Sequence, residues 1–234
     1  MRKQYAQPQV KRFSRTLLAL VFALVLPVVV LVLSLRWVNP PATAFMLQQS
    51  DANQRAYSWV SLQEISDSAI LAVVAAEDQR FTDHAGIDFD SIEKALDDAE
   101  AGRNLRGAST ITQQLAKNLF LWPGKNVFRK GVEAMLSVLL DALLPKARIM
   151  ELYLNVIELG PGVYGVGAAS KIFFGITPAQ LGDGDAALLA AVLPNPKKLS
   201  VARPSEYVLE RRGWILEQMG RLRREGAVLA AVRN

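Results

Sequence analysis

Apolar residues follow two regimes along this chain. From residue 17 to residue 35 they run as LLALVFALVLPVVVLVLSL, nineteen positions without a charge. A helix rising about 1.5 Å per residue needs roughly 20 such positions to cross the hydrocarbon core, so this run predicts one membrane span. Beyond residue 60 the apolar positions recur three or four apart, as on one face of a helix. Leu62, Ile65, Ile70, Leu71, Val73 and Val74 predict a helix over 61–76 that runs into Glu77. A short amphipathic helix is predicted over 90–101. The stretch 110–121 opens with Thr110 and Gln113, a T-x-x-Q capping box, and stops at Trp122-Pro123-Gly124. Val132, Met135, Leu136, Leu139, Leu140 and Leu143 mark one side of a helix over 127–144, ended by Pro145. More helices are predicted over 147–156, over 166–174 with Gly175 as its stop, from Pro178, over 185–193 and over 207–224. Alternating patterns that would mark strands are nearly absent. The expected organisation is a basic tail (1–16), a transmembrane helix (17–36), a Pro- and Gln-containing connector (37–57) and a mainly α domain (58–234).

Composition sharpens this reading. With 51% hydrophobic and 21% charged residues the chain is not intrinsically disordered. Six of its 27 Lys and Arg lie in the first 36 residues, which contain no Asp or Glu; the remainder carries 21 bases against 22 acids. The pI of about 9.6 therefore belongs to the tail. Five basic residues ahead of the span place the amino terminus in the cytoplasm and the domain outside the cytoplasmic membrane, and nucleic acid is not an expected partner. A secretory signal usually has an apolar core of about 7–15 residues. The run here is longer and ends at Arg36-Trp37, which favours an uncleaved anchor; the small residues Ala42 to Ala44 leave cleavage as the alternative. The chain has no cysteine, hence no disulfide and no thiolate metal site.

Three places carry candidate chemistry. Glu77 and Asp78 follow AILAVVAA, and carboxylates at the end of a buried helix are costly unless paired or used. Arg80, three residues after Glu77, is the plain partner. Gly107 to Thr110 opens a polar helix, whose free N–H groups can hold an anion, with Lys117 adding a point charge; the simpler reading is a capped helix with a solvated Lys. Arg129, Lys130 and Glu133 share one helix side, either as an ion pair worth about 0.2–0.5 kcal/mol or as a phosphate clamp beside an acid. Phe120, Leu121, Trp122, Val127 and Phe128 read equally as core or as membrane-interface residues.

In order, these motifs resemble the family 51 peptidoglycan glycosyltransferases, specifically the short monofunctional transglycosylases of bacterial inner membranes. The pattern E-D-x-x-F-x-x-H-x-G is met by Glu77, Asp78, Phe81, His84 and Gly86, and G-x-S-T-I-T-Q-Q by Gly107 and residues 109–114. Arg129, Lys130 and Glu133 meet R-K-x-x-E; Lys146 with Tyr153-Leu154-Asn155 meets a fourth motif, and Arg211 with Ile215-Leu216 a fifth. Ala108 departs from a usual Gly, and Met150-Glu151 from an aliphatic pair, so Glu151 is given no catalytic role.

The resemblance implies a lysozyme-like helical domain that polymerises lipid II. Glu77 is then the general base and Glu133 the second carboxylate, near the departing pyrophosphate. Lys117, Arg129 and Lys130 neutralise that leaving group, while Ser109, Thr110, Gln113 and Gln114 line the donor side. His84 is structural. A divalent cation, Mg²⁺ or Mn²⁺, at Glu133 is left open, and no organic cofactor is implied. Implied partners are lipid II, the growing lipid-linked glycan and the cytoplasmic membrane, in the setting of wall-synthesis or division proteins. A glycan-cleaving enzyme also uses carboxylates, but has no need of a cation cluster for pyrophosphate. A non-catalytic scaffold would not need both Glu77 and Glu133. Ser91 and Lys94 spell S-x-x-K without the companion motifs of a transpeptidase, and one histidine without cysteine makes no zinc site.

Overall fold

A computed structural model describes residues 22–48, 55–100, 109–124 and 126–233. Its centre is a helix that is apolar on every side, α2 (Asp67–Glu77), in which all residues from Ala69 to Ala75 are buried. Such a helix has no solvent face and must be wrapped. The preceding α1 is a single turn (Ala44–Leu47). After α2 follow α3 (Phe89–Glu100), α4 (Ile111–Phe120), α5 (Val127–Leu143), α6 (Lys146–Val156), α7 (Gly165–Phe174), α8 (Asp183–Ala191), α9 (Glu206–Glu225) and α10 (Ala227–Arg233). One side of α2 is covered by α8, α9 and α10; α4 packs between α5 and α6.

Local signals set most helix ends. Thr110 and Gln113 form the reciprocal capping box read from the sequence, and Gly175 ends α7 in the left-handed conformation. The predicted helix 61–76 is broken in two. Leu62–Glu64 is a single 3-10 turn, and Ser66 then accepts the Ala69 N–H as the N-cap of α2. A capping serine competes with helix continuation, so the apolar period carried across a chain break. Pro178 starts only a 3-10 turn, Pro178–Gln180, and α10, which follows the left-handed Gly226, is not marked by the sequence pattern.

The described parts of the connector, 37–48 and 55–57, hold ordered elements. Thr43 caps α1, whose Met46 is buried, and β1 (Ala56–Tyr57) pairs in parallel with β3 (Val163–Tyr164). With β2 (Glu158–Gly160), antiparallel to β3, this makes a three-stranded sheet in the order β1-β3-β2. Elements of two to four residues are too short to leave a hydrophobic period, which is why the sequence reads as an unpatterned link.

Of the expected span 17–36, residues 22–34 are helical, 35–37 form a turn, and 17–21 lie outside the described residues. Among the described residues no helix is long and apolar enough to cross a membrane. Val32 and Leu35 are buried against the domain, while Phe22, Leu24, Val30 and Leu31 of the same stretch are exposed.

Candidate active site

Glu77 is the last residue of α2 and opens into a cleft of about 1560 Å³. Its plain sequence neighbour is not its partner. Arg80 pairs with Asp88 at 3.2 Å, Asp90 at 2.8 Å and Asp83 at 4.0 Å. Glu77 is instead held from two distant helices: the Gln114 amide of α4 donates to Oε2 at 2.7 Å, and the Arg211 guanidinium of α9 lies 3.3 Å from Oε1. The Gln114 amide is itself oriented. The hydroxyl of the fully buried Tyr153 donates to its Oε1 at 3.0 Å, which leaves Nε2 for Glu77. Burial keeps the Tyr153 phenol well above its usual pKa, so that hydroxyl remains a donor. Burial also pushes the Glu77 carboxyl above its usual value, while Gln114, Arg211 and Lys117 pull it back.

Asp78, the neighbouring carboxylate, faces the other way. It accepts from His84 Nε2 at 3.0 Å and from the backbone N–H of Ile111 at 2.9 Å. The anion at the start of α4 is thus supplied by the fold itself, a partner for the positive end of the helix. His84 has the structural place expected of it, its carbonyl accepting from Lys146 Nζ at 2.7 Å. Gly86 closes this loop against α5, and its carbonyl accepts a 2.7 Å bond from Thr110 Oγ1. Gly107 and Ala108, which begin the second motif, lie outside the described residues.

The cations gather on α4 and α5. Glu133 is buried between Arg129, at 2.7 Å, and Lys130, which also donates to Ser109 Oγ at 3.0 Å. Lys117 lies one turn after Gln114 on the cleft side of α4, its ammonium 5.7 Å from the Phe45 ring centre. Burial lowers its pKa, with Arg129 and Lys130 adding to the effect against the pull of Glu133. Three cations around one carboxylate leave this arm of the cleft net positive.

Among the other expected residues, Ser109 and Thr110 line the cleft, with the Thr110 side chain engaged by the Gly86 carbonyl and by the Gln113 N–H. Gln113 is buried, and its Oε1 accepts the Thr110 N–H within the capping box. It therefore faces the core rather than the donor side, because positions 113 and 114 point about 100° apart on a helix and only one can face the cleft. Glu151 binds Arg148 and the Leu62 N–H, outside the cleft.

A transglycosylase family model matches residues 44–220 of this chain. The biosynthetic peptidoglycan transglycosylase of Pseudomonas fluorescens is 47% identical over 201 residues, 83% of this chain and 84% of that protein. Those of Shewanella oneidensis and Pseudomonas putida are 43% and 47% identical over 218 and 220 residues, 91% of this chain and 94% and 92% of theirs. The chain belongs to the transglycosylase family. The match begins at Ala44, so the transglycosylase unit takes in α1 and β1 as well as the helices beyond them.

Two features of this transglycosylase site are not assigned by the sequence. Arg211 and Tyr153 stand in motifs there without partners. Their contacts with Glu77 and Gln114 span 134 and 39 residues, separations over which no sequence period operates. The Glu133 oxygens are taken by Arg129 and Lys130, and among the described residues no group of three acids or histidines converges.

Proposed function

We propose that this chain is a peptidoglycan glycosyltransferase that polymerises lipid II into β-1,4 glycan, and that it works from the outer face of the cytoplasmic membrane on a single N-terminal anchor. One observation carries the reading: a partly buried carboxylate, Glu77, shares a cleft with a three-cation cluster on α4 and α5. The names of the relatives point to the same polymer.

In this mechanism Glu77 takes the proton of the acceptor GlcNAc 4-hydroxyl, and that oxygen attacks the donor anomeric carbon. The bond to the lipid pyrophosphate breaks and the configuration inverts. Lys117, Arg129 and Lys130 meet the negative charge that grows on the leaving undecaprenyl diphosphate, where fixed cations act most strongly in a site shielded from water. Glu133 keeps Arg129 and Lys130 in place. Gln114, oriented by Tyr153, and Arg211 hold the Glu77 carboxylate in one pose. Purified full-length protein given labelled lipid II should yield glycan that lysozyme digests. Folded protein that makes none would overturn the proposal.

The base is useful only when ionised, and burial raises its pKa. Activity is therefore lost as pH falls, with an acid limb of kcat/KM above the ordinary glutamate value of 4.5. Tyr153→Phe frees the Gln114 amide to rotate and weakens its donation to Glu77. One neutral hydrogen bond is worth about 1 kcal/mol, so the limb should move up by roughly 0.5–1 pH unit. A limb that stays put in the Phe variant removes Tyr153 from the mechanism.

The apolar residues between the second and third motifs divide. Leu121 is buried and Phe120 packs partly on the core, whereas Trp122, Val127 and Phe128 are exposed, the last two at 90% and 76%. We assign the exposed three to the lipid interface, where an aromatic ring sits well. In vesicles of brominated phospholipid, Trp122→Phe should remove a quenchable part of the tryptophan emission. Equal quenching in both proteins would leave the loop in water.

A further inference from the structure

The guanidinium of Arg148, near the start of α6, is shared among four acceptors. Nε donates to the Leu35 carbonyl at 2.7 Å. Nη2 donates to the Val38 carbonyl at 3.0 Å and to Asn39 Oδ1 at 2.8 Å. Nη1 meets Glu151 Oε2 at 2.6 Å, and Glu151 in turn accepts the Leu62 N–H. The charged plane also lies 5.3 Å from the centre of the Trp59 ring. Three of the acceptors come from five consecutive residues, 35–39, that directly follow the helical stretch 22–34. Arg36 Nη1 adds a 3.4 Å contact to the Leu143 carbonyl at the end of α5, and the Tyr57 hydroxyl donates to the Pro40 carbonyl at 2.9 Å.

A stretch of turn and coil is thereby fastened to the domain chiefly by one side chain, whose planar fork can reach several acceptors at once. Arg148 and Tyr153 are five residues apart on the same short helix, so the helix that orients Gln114 also grips the exit of the anchor. We propose that Arg148 is a positioning residue: it locks the exit of the membrane anchor to α6 and so sets the height and tilt at which the cleft meets the bilayer. This rests on the reading of residues 17–36 as a membrane anchor and of the cleft as a site for lipid-linked substrates. The physical need is geometric. Substrates held by lipid tails present their reacting atoms at a set height above the membrane. Five unclamped residues can extend over roughly 17 Å, whereas a misplacement of about 1 Å can cost two orders of magnitude in rate.

The test uses the full chain with Arg148→Ala and with Arg148→Lys, which keeps the charge but not the fork. Turnover is measured on long-chain lipid II in vesicles and on a short-chain, freely soluble analogue in detergent. Both variants should lose about tenfold or more in vesicles and stay within twofold of wild type on the soluble analogue. Equal losses in both settings would make Arg148 merely structural and overturn the proposal, as would no loss in vesicles. A second readout does not depend on turnover. The chain has no cysteine, so spin labels can be placed through Leu24→Cys and Glu217→Cys, both at exposed positions. Their distance distribution in nanodiscs should be narrow with Arg148 in place and broad in the Arg148→Ala variant; an unchanged width also overturns the clamp. A wild type inactive on both substrates would remove the proposed function and leave the distance measurement to decide on Arg148.

Discussion

Glu77→Gln is expected to abolish polymerisation while leaving a folded protein. A positioned general base contributes about 10²–10⁴-fold, and glutamine cannot accept the proton of an attacking hydroxyl. The side chains have nearly the same shape, so a Gln at this place still offers an oxygen to the Gln114 amide. Stability should not fall at neutral pH. Burial raises the Glu77 pKa in the folded state, so the ionised form is disfavoured by folding. The wild type is relieved of that penalty as pH drops through the folded pKa; the Gln variant never carries it. A glycan gel and a thermal melt, run on both proteins, separate the two effects. Polymer from the Gln variant at the wild-type rate would move the base elsewhere.

Gly86→Ala is expected to destabilise the fold by several kcal/mol. Gly86 has φ of +82°, and a Cβ there would stand 2.5 Å from the Ser137 carbonyl oxygen and 2.9 Å from its carbon. Those atoms are backbone of α5, which cannot yield without shifting the helix that bears Arg129 and Glu133. Left-handed strain at a non-glycine residue costs about 1–3 kcal/mol, and overpacking costs about 1–3 more. A total near 4 kcal/mol would lower Tm by about 10 °C in a domain of this size. Gly175→Ala is the control. Its φ is +69°, but nothing lies within 4 Å of the added Cβ, so only the strain remains and the loss should be about 1–2 kcal/mol. Equal losses at the two positions would mean that the close approach of the Gly86 loop to α5 contributes nothing.

Helix ends and site carboxylates differ in how far they can be read from the chain. The capping box at Thr110 and Gln113, the stop at Pro145 and the left-handed Gly175 all act between residues three or four apart. Such contacts form in any fold that contains the helix, so they are written locally. The ion pairs from Arg129 and Lys130 to Glu133 are of the same kind, and the sequence alone predicts them. Glu77 is the contrary case. Its local partner, Arg80, turns to three aspartates, and Arg211 takes its place.

What the sequence by itself determined is most of the succession of helices, the family and the residue types at the site, because capping, periodicity and motif spacing are properties of neighbouring positions. Which of Gln113 and Gln114 faces the cleft, that Asp78 supplies the anion for α4, and that Tyr153 orients the amide beside Glu77 were decided only by the tertiary structure. Each depends on which helix packs against which. Burial shifts the pKa of Glu77 upward and that of Lys117 downward in the same way, since the low dielectric that moves them exists only after distant helices have closed around them.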